Sequence, residues 1–211
     1  MVRVHNFTVS SDGYAAGRGQ SLERPFGHAD PAALFRWAGG TASWPNRTGP
    51  GGSRGLDDYM VRDFHRNIGA EIMGRNKFGP QRGPWADEEW QGWWGQEPPF
   101  HTPVFVMTHH ERPSFTLSDT TFHFVSGDPT TVLKLALEAA AGKDVRLGGG
   151  AHTVRQFLDA DLIDTLHVAV SPVELGAGSR LWGSPDELYD RYRCDVVPSP
   201  NGVVHHLFWR D

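Results

Sequence analysis

Three short stretches carry residue types that could hold or transform a ligand. In Val145-Arg146-Leu147-Gly148-Gly149-Gly150-Ala151, an apolar strand pattern runs into three glycines and then a helical pattern. Glycine lets backbone amides approach a ligand without interference from Cβ. A helix start adds unpaired N–H groups and partial positive charge, so the stretch suits a pyrophosphate. A tight strand-to-helix turn with no ligand fits it equally well, and it is not the spaced-glycine fingerprint of a Rossmann fold. In Ile72-Met73-Gly74-Arg75-Asn76-Lys77, a second strand pattern ends at glycine with two cations beside it. Arginine can grip a phosphate through two parallel hydrogen bonds, although a solvated basic turn has the same composition. In Val104-Phe105-Val106-Met107-Thr108-His109-His110, a continuous apolar run delivers a hydroxyl and two imidazoles to its end. Ligands of open parallel sheets bind beyond such ends, and a polar loop cap is the plainer alternative.

Metal is not expected. His109-His110 has no carboxylate or further histidine at ligand spacing, and His205-His206 would face opposite sides of a strand. The lone cysteine, Cys194, rules out a cysteine-based zinc site and an intramolecular disulfide, and it points to a reducing, cytoplasmic compartment. A net charge of -5 without a basic half argues against a nucleic-acid partner. No stretch approaches ~18 apolar residues, so no membrane span is expected. Met1 to His5 lacks the apolar run of a secretory leader.

The elements that must position these groups follow from periodicity and turn chemistry. Val2 to Val9 alternates as a strand, and Asp12-Gly13 marks a turn. Asp30-Pro31 opens a short helix to Trp37, and Thr41 to Gly55 reads as a mobile loop. Leu56, Met60, Phe64 and Ile68 recur every four residues and predict a helix over Leu56 to Asn67. Strands are expected at Ala70 to Met73, Pro103 to Met107, Thr121 to Val125, Asp144 to Leu147 and Leu166 to Val170. Trp85 to Trp94 reads as partly helical, its tryptophans either walling a planar ligand or filling a core. Asp128-Pro129 caps a helix over 129–141, Ala151 to Leu158 forms another, and Ser184-Pro185-Asp186-Glu187 is a capping box. Tyr192 to Val197 and Val203 to Trp209 make a hairpin. This order predicts an α/β fold with a mostly parallel central sheet, helices on both faces and a C-terminal antiparallel hairpin. The 211 residues suit one domain with a Gly/Pro-rich insertion at about 15–55.

The three sheet-end motifs, together with "TVRQFLDADLIDTLHVAVSPVELGAGSRLW" from Thr153 to Trp182, resemble the dihydrofolate reductase superfamily. The nearest branch is the reductase domain of the bifunctional riboflavin-biosynthesis deaminase–reductase and its stand-alone relatives. The resemblance implies a three-layer dihydrofolate-reductase-like fold and an NADPH-dependent reductase. Hydride would pass to a small planar pyrimidine or pterin, such as 5-amino-6-(5-phosphoribosylamino)uracil. Dihydrofolate reductase activity proper and a non-catalytic dinucleotide-binding protein of the same fold are the alternatives.

By the same resemblance, Gly74, Arg75, Asn76 and Lys77 would contact the adenosine 2′-phosphate side of NADPH, and Thr108 and His109 its ribose. Gly148, Gly149, Gly150, Ala151, His152 and Thr153 would hold the pyrophosphate, and Phe7 would sit by the nicotinamide. Asp12, Tyr14, Glu174 and Leu175 would border the substrate. Asp58 falls where dihydrofolate reductases carry the acid that binds the pteridine, so it is the candidate catalytic group. An ordinary acid at a helix N-terminus is the alternative. The Trp and Pro that precede that acid in dihydrofolate reductases are replaced here by the Gly-rich insertion, which points away from folate. The resemblance also implies a homodimer, with the terminal hairpin and the Pro172 to Trp182 loop as the expected contact.

Overall fold

A computed structural model describes residues 1–45, 47 and 49–210. Asn46 and Thr48, within the expected 41–55 loop, lie outside the described residues. Six parallel strands form the centre of the molecule: β1 (Val2–Val9), β3 (Ile68–Gly74), β4 (Val104–Met107), β6 (Thr120–Val125), β7 (Asp144–Leu147) and β8 (Thr165–Val170). β2 (Tyr14–Ala16) pairs outside the main sheet with β9 (Ser179–Arg180). β5 (Phe115–Leu117) adds antiparallel to β6 at one edge. At the other edge, β11 (Val204–Trp209) pairs antiparallel with β8 and carries β10 (Arg193–Pro198) outermost, as the hairpin reading predicts. The order across the sheet is β10-β11-β8-β1-β7-β3-β4-β6-β5.

Helices cover both faces. α5 (Pro129–Ala139) is capped by Asp128, whose carboxylate accepts from the Thr131 N–H, and Pro129 pre-sets the first turn. α6 (Ala151–Asp159) presents Ala151, Val154, Phe157 and Leu158 to the core. Both helices pack on the side of the sheet formed by Ala70, Ile72, Val145, Leu147, Leu166 and Val168. On the other side, the tryptophan-rich segment packs on Met73, Val104, Val106 and Phe122 through Phe78. There too, α2 (Arg36–Gly39) and α3 (Leu56–Arg62) cover Ala169 and Val203 through Trp37, Met60 and Val61. α1 (Pro31–Leu34) precedes α2, and α4 (Arg75–Phe78) follows β3 directly. Among the described residues, no helix is long and apolar enough to cross a membrane.

Two expected helices differ. α3 stops at Arg62 rather than Asn67 because Phe64 leaves the apolar stripe. Its ring lies 3.6 Å from the Arg146 guanidinium carbon, and its carbonyl accepts from Arg146 Nη1 at 3.1 Å. Ile68, the last member of the four-residue repeat, opens β3 instead. Trp85 to Trp94 forms no helix among the described residues. Its indoles are spent on backbone carbonyls: Trp85 on His110, Trp90 on Phe78 and Trp93 on Lys77. Such local side-chain bonds replace a helical ladder.

A chain of buried polar groups ties the terminal hairpin to β1. The Asn6 N–H donates to His167 Nδ1 at 3.2 Å, which leaves the His167 proton on Nε2. That N–H donates to His205 Nδ1 at 2.9 Å, and His205 Nε2 in turn donates to Asp57 Oδ1 at 2.9 Å. Asn6 sits at a register shift in β1 with φ 57. Burial, reinforced by the neighbouring imidazoles, holds His167 well below the usual histidine range. Burial also lowers His5 and His206. The unfolded imidazoles take up protons near about pH 6.5, whereas the folded ones resist protonation until lower pH. Stability from this source is therefore complete above about pH 6.5 and declines as pH falls. Thermal unfolding followed across the range should give a melting temperature that is flat from about pH 8 to 7 and drops steadily towards about pH 5. A melting temperature that stays level or rises on acidification contradicts the buried neutral chain.

Candidate functional site

Strand register brings the three sheet-end motifs to one place. Gly74 pairs beside Met107 and Ile72 beside Leu147, so β3, β4 and β7 end side by side and run the same way. The Gly74 N–H donates to the Gly149 carbonyl at 2.8 Å, and the Gly148 N–H donates to the Ile72 carbonyl at 2.8 Å. This approach leaves no room for side chains. A Cβ on Gly74 would lie 2.1 Å from Thr153 Oγ1. A Cβ on Gly149, which has φ +99, would lie 2.7 Å from Cε2 of Phe7. Gly150 differs: a Cβ there would meet nothing within 4 Å, so the cradle is open on that side. Gly150 is also the N-cap of α6, and no side chain caps that helix start. The first-turn amides of Ala151, His152 and Thr153 are left for a ligand, and the partial charge there favours an anion.

Beneath the cradle lies a charged group of three. Glu71 and Arg146 face away from the α5–α6 side at neighbouring register positions. Both are 1% exposed. Arg146 donates through Nε to Glu71 Oε2 at 2.5 Å and also contacts it through Nη2. Lys77 Nζ reaches Glu71 Oε1 at 3.3 Å and the Gly148 carbonyl at 2.9 Å. Burial lowers the Lys77 ammonium from its ordinary range, while the Glu71 carboxylate opposes that shift. His65 nearby is lowered to about 4, by burial and then by the Arg146 charge.

The two cations of the Gly74–Lys77 motif therefore go different ways. Lys77 turns inward to the cradle. Arg75 lies against the Trp85 ring, 3.9 Å from its centroid, and donates to the Gly83 carbonyl at 2.5 Å. Its Nε and Nη2 are buried without a hydrogen-bond partner among the described residues. Asn76 is exposed. Thr108 is buried and closes a turn, its hydroxyl bonded to both the N–H and the carbonyl of His110 at 3.1 Å, with His109 exposed at the tip.

Asp12, Tyr14, Glu174 and Leu175 also come together, where β1 and β8 end. Asp12 accepts from Ser10 Oγ at 2.6 Å and from the Leu175 and Gly176 amides at 3.1 and 2.6 Å. Burial opposes its ionisation, but these donors prevail and hold the carboxyl below its usual range. Tyr14 pairs with Arg180, whose guanidinium lies 5.3 Å from the ring, and Glu174 is exposed. Asp58 is buried on α3 and accepts from the Ser43 N–H at 2.7 Å, which anchors the loop after α2. The sequence reading missed Glu71, Arg146 and the histidine chain. For the Glu71–Arg146 pair, the available signal was a charge flanked by apolar residues within each strand.

The family model for the RibD C-terminal domain matches residues 3–197, and the chain belongs to that family. It is thereby one of the dihydrofolate-reductase-like reductase domains expected from the sequence, with the mostly parallel sheet and terminal hairpin described above. Comparison with curated protein sequences finds no match. Among solved structures, the chain is similar to a protein from Shewanella sp. PV-4 assigned to riboflavin biosynthesis. The identity is 20%, coverage is 100% of this chain and 97% of that one, and the TM-score is 0.55. A pyrimidine reductase-like protein from Corynebacterium diphtheriae matches at 16% identity, over 100% of this chain and 91% of that one, with a TM-score of 0.48. A dihydrofolate reductase from Enterococcus faecalis, complexed with NADP(H) and RAB-propyl, matches at 14% identity over 69% of this chain and 77% of that one, with a TM-score of 0.44.

Removing one partner from a buried charge pair strands the other in low dielectric. Glu71→Gln should therefore lower unfolding free energy by about 3–5 kcal/mol in urea titrations. A loss below about 1 kcal/mol contradicts a central role for this group.

Proposed function

We propose that the chain is an NADPH-dependent reductase that passes hydride to a small planar nitrogen heterocycle of pyrimidine or pterin type. The observation that carries this reading is the contact of Gly74 with Gly149 beside an uncapped helix start, open at Gly150. An extended diphosphate needs such a surface: amides pointing outward, no Cβ in the way and no competing carboxylate. The family supports the reductase chemistry, and we take 5-amino-6-(5-phosphoribosylamino)uracil as the candidate substrate from the resemblance read in the sequence.

In this reading the amides from Gly149 to Thr153 bind the pyrophosphate, and Gly148 is held in place through its carbonyl by Lys77. Arg75, with two unpartnered buried N–H nitrogens, meets the 2′-phosphate. Thr108 and His109 border the adenosine ribose. Phe7, packed where Gly149 lacks a side chain, forms the wall beside the nicotinamide. When bound, NADPH supplies the hydride and its electron pair. The protein's share is to hold donor and acceptor at reacting distance and keep water out. Asp12 fixes the turn that carries Tyr14 and the 174–176 segment towards the substrate. Asp58 sits further back, where its bond to Ser43 sets the loop over that side. β10, an exposed edge strand carrying the half-exposed Val196, is our candidate for the homodimer contact.

Titration of the purified chain, followed by NADPH fluorescence, tests this directly. We expect saturable binding of NADPH, at least about tenfold weaker binding of NADH, and loss of both in Gly149→Ala, where a Cβ meets Phe7 in a left-handed backbone. No saturation by roughly millimolar NADPH sinks the assignment.

A further inference from the structure

On the face of the sheet away from α5 and α6, the two apolar clusters do not meet. One covers β4 and β6, and the other covers β8 and β11. The strip between them, over β1, β7 and β3, carries Arg3, His5, Arg146 and Glu71. β1 pairs with β7 at Val2–Val145 and Arg3–Arg146 and no further, so the two strands part towards the cradle. Lys77 stands at that end of the strip, with the Phe100 ring 5.8 Å from its Nζ. A Cβ on Gly148 would run into Glu71 Oε1 and lie 2.5 Å from Lys77 Nζ, so the glycine leaves the room that the ammonium takes. The Lys77 side chain is 28% exposed, whereas Glu71 and Arg146 are sealed beneath it. Two of its three N–H donors meet Glu71 and the Gly148 carbonyl, and the third has no hydrogen-bond partner among the described residues. One carboxylate thus faces two cations. Of the two, only the lysine can shed the excess charge by releasing a proton. Burial and the Arg146 charge lower the Lys77 ammonium, and Glu71 opposes them. His65, beyond the pair, is lowered to about 4 and so stays neutral near pH 7.

We propose that Lys77 is the proton donor of the reduction, delivering a proton to the substrate heteroatom as the neighbouring carbon takes hydride. The inference rests on the reductase reading for its reaction. Reduction of a C=N or C=O bond adds hydride, with the electron pair of a dihydronicotinamide, to carbon. The π electrons move onto nitrogen or oxygen, which must gain one proton. Lys77 Nζ gives that proton and becomes a neutral amine, and water reprotonates it from the exposed side. A lysine whose proton is loosened by burial suits this task at neutral pH. Glu71 keeps the amine protonated and in place between turnovers, and Arg146 holds Glu71. The acids near the cradle are poorer donors. Asp12 is held ionised by Ser10 and the Leu175 and Gly176 amides, and Asp58 is bonded to the Ser43 amide. The acceptor ring then lies over Gly148, where the two apolar clusters part.

Competitive acylation with acetic anhydride across pH, read by mass spectrometry of the lysine peptides, tests the donor without turnover. Lys134 and Lys143, both exposed, are references within the same chain. The pH midpoint for Lys77 should lie below both, and Glu71→Gln should lower it further. With NADPH and 5-amino-6-(5-phosphoribosylamino)uracil, kcat should fall as pH rises through that midpoint, because a donor must hold its proton. Lys77→Arg keeps the charge but cannot release the proton. It should bind NADPH within about threefold of wild type and lose kcat about a hundredfold or more. If Lys77→Arg melts early, Lys77→Gln replaces it with the same expectation. A Lys77 that titrates with Lys134 and Lys143 overturns the proposal, and so does a folded Lys77→Arg that turns over within about threefold of wild type. Both results leave the reductase reading standing. If wild-type protein binds NADPH but does not reduce this substrate, the acylation midpoint decides alone. If wild-type protein binds no NADPH, the reductase reading falls and the donor with it.

Discussion

The strand ends of β3 and β7 must lie side by side with no Cβ between them, and the rest of the site depends on that approach. The Gly74 N–H donates to the Gly149 carbonyl, and a Cβ on either residue would run into Thr153 Oγ1 or the Phe7 ring packed around that contact. Under it, Glu71 and Arg146 form a pair that is costly to bury and tolerable only with full hydrogen bonding. That condition is met on the arginine side by Glu71 and the Phe64 carbonyl, and on the glutamate side by Arg146 and Lys77. Lys77 in turn bonds the Gly148 carbonyl, so the ion pair reaches the cradle through a single side chain. Slipping the strand register by one residue would turn Glu71 and Arg146 into the α5–α6 core, so the pair also fixes the register.

Much of the frame is legible in the sequence because its signals are local. Asp128-Pro129 specifies its own cap, Ser184 to Glu187 its own capping box, and the terminal hairpin its own alternation. The glycines of the 148–150 run are legible as a cradle for the same reason: what they lack is visible residue by residue. What the sequence does not reveal is set by partners distant along the chain. β2, β5 and β9 are two or three residues long, too short for a period to register. The helix expected to Asn67 ends early because Phe64 is claimed by Arg146, far along the chain. The tryptophans look amphipathic in sequence, but their indole N–H groups bind carbonyls that no pattern predicts.

The two acids on α3 illustrate the limits of carrying a family role by position. Asp58 is singled out by its position in the sequence, and in the structure its carboxylate is bonded to a loop amide. Its neighbour Asp57, on another face, anchors the buried histidine chain that ends at Asn6, one residue before Phe7. The sheet is therefore braced on both sides of Phe7. The histidine chain links β1 to β8, β11 and α3, and the cradle meets the Phe7 ring from the other side. Each brace is polar and buried, so both add geometry that apolar packing alone would not fix.

Hydrogen–deuterium exchange across the chain, with and without NADP+, tests most directly whether this convergence of strand ends is a dinucleotide site. The account requires slowed exchange at the amides of 148–153 and 74–77 on adding the nucleotide, with the α5 and β10 amides unchanged. Protection confined to another face of the sheet, or none at saturating nucleotide, would contradict it.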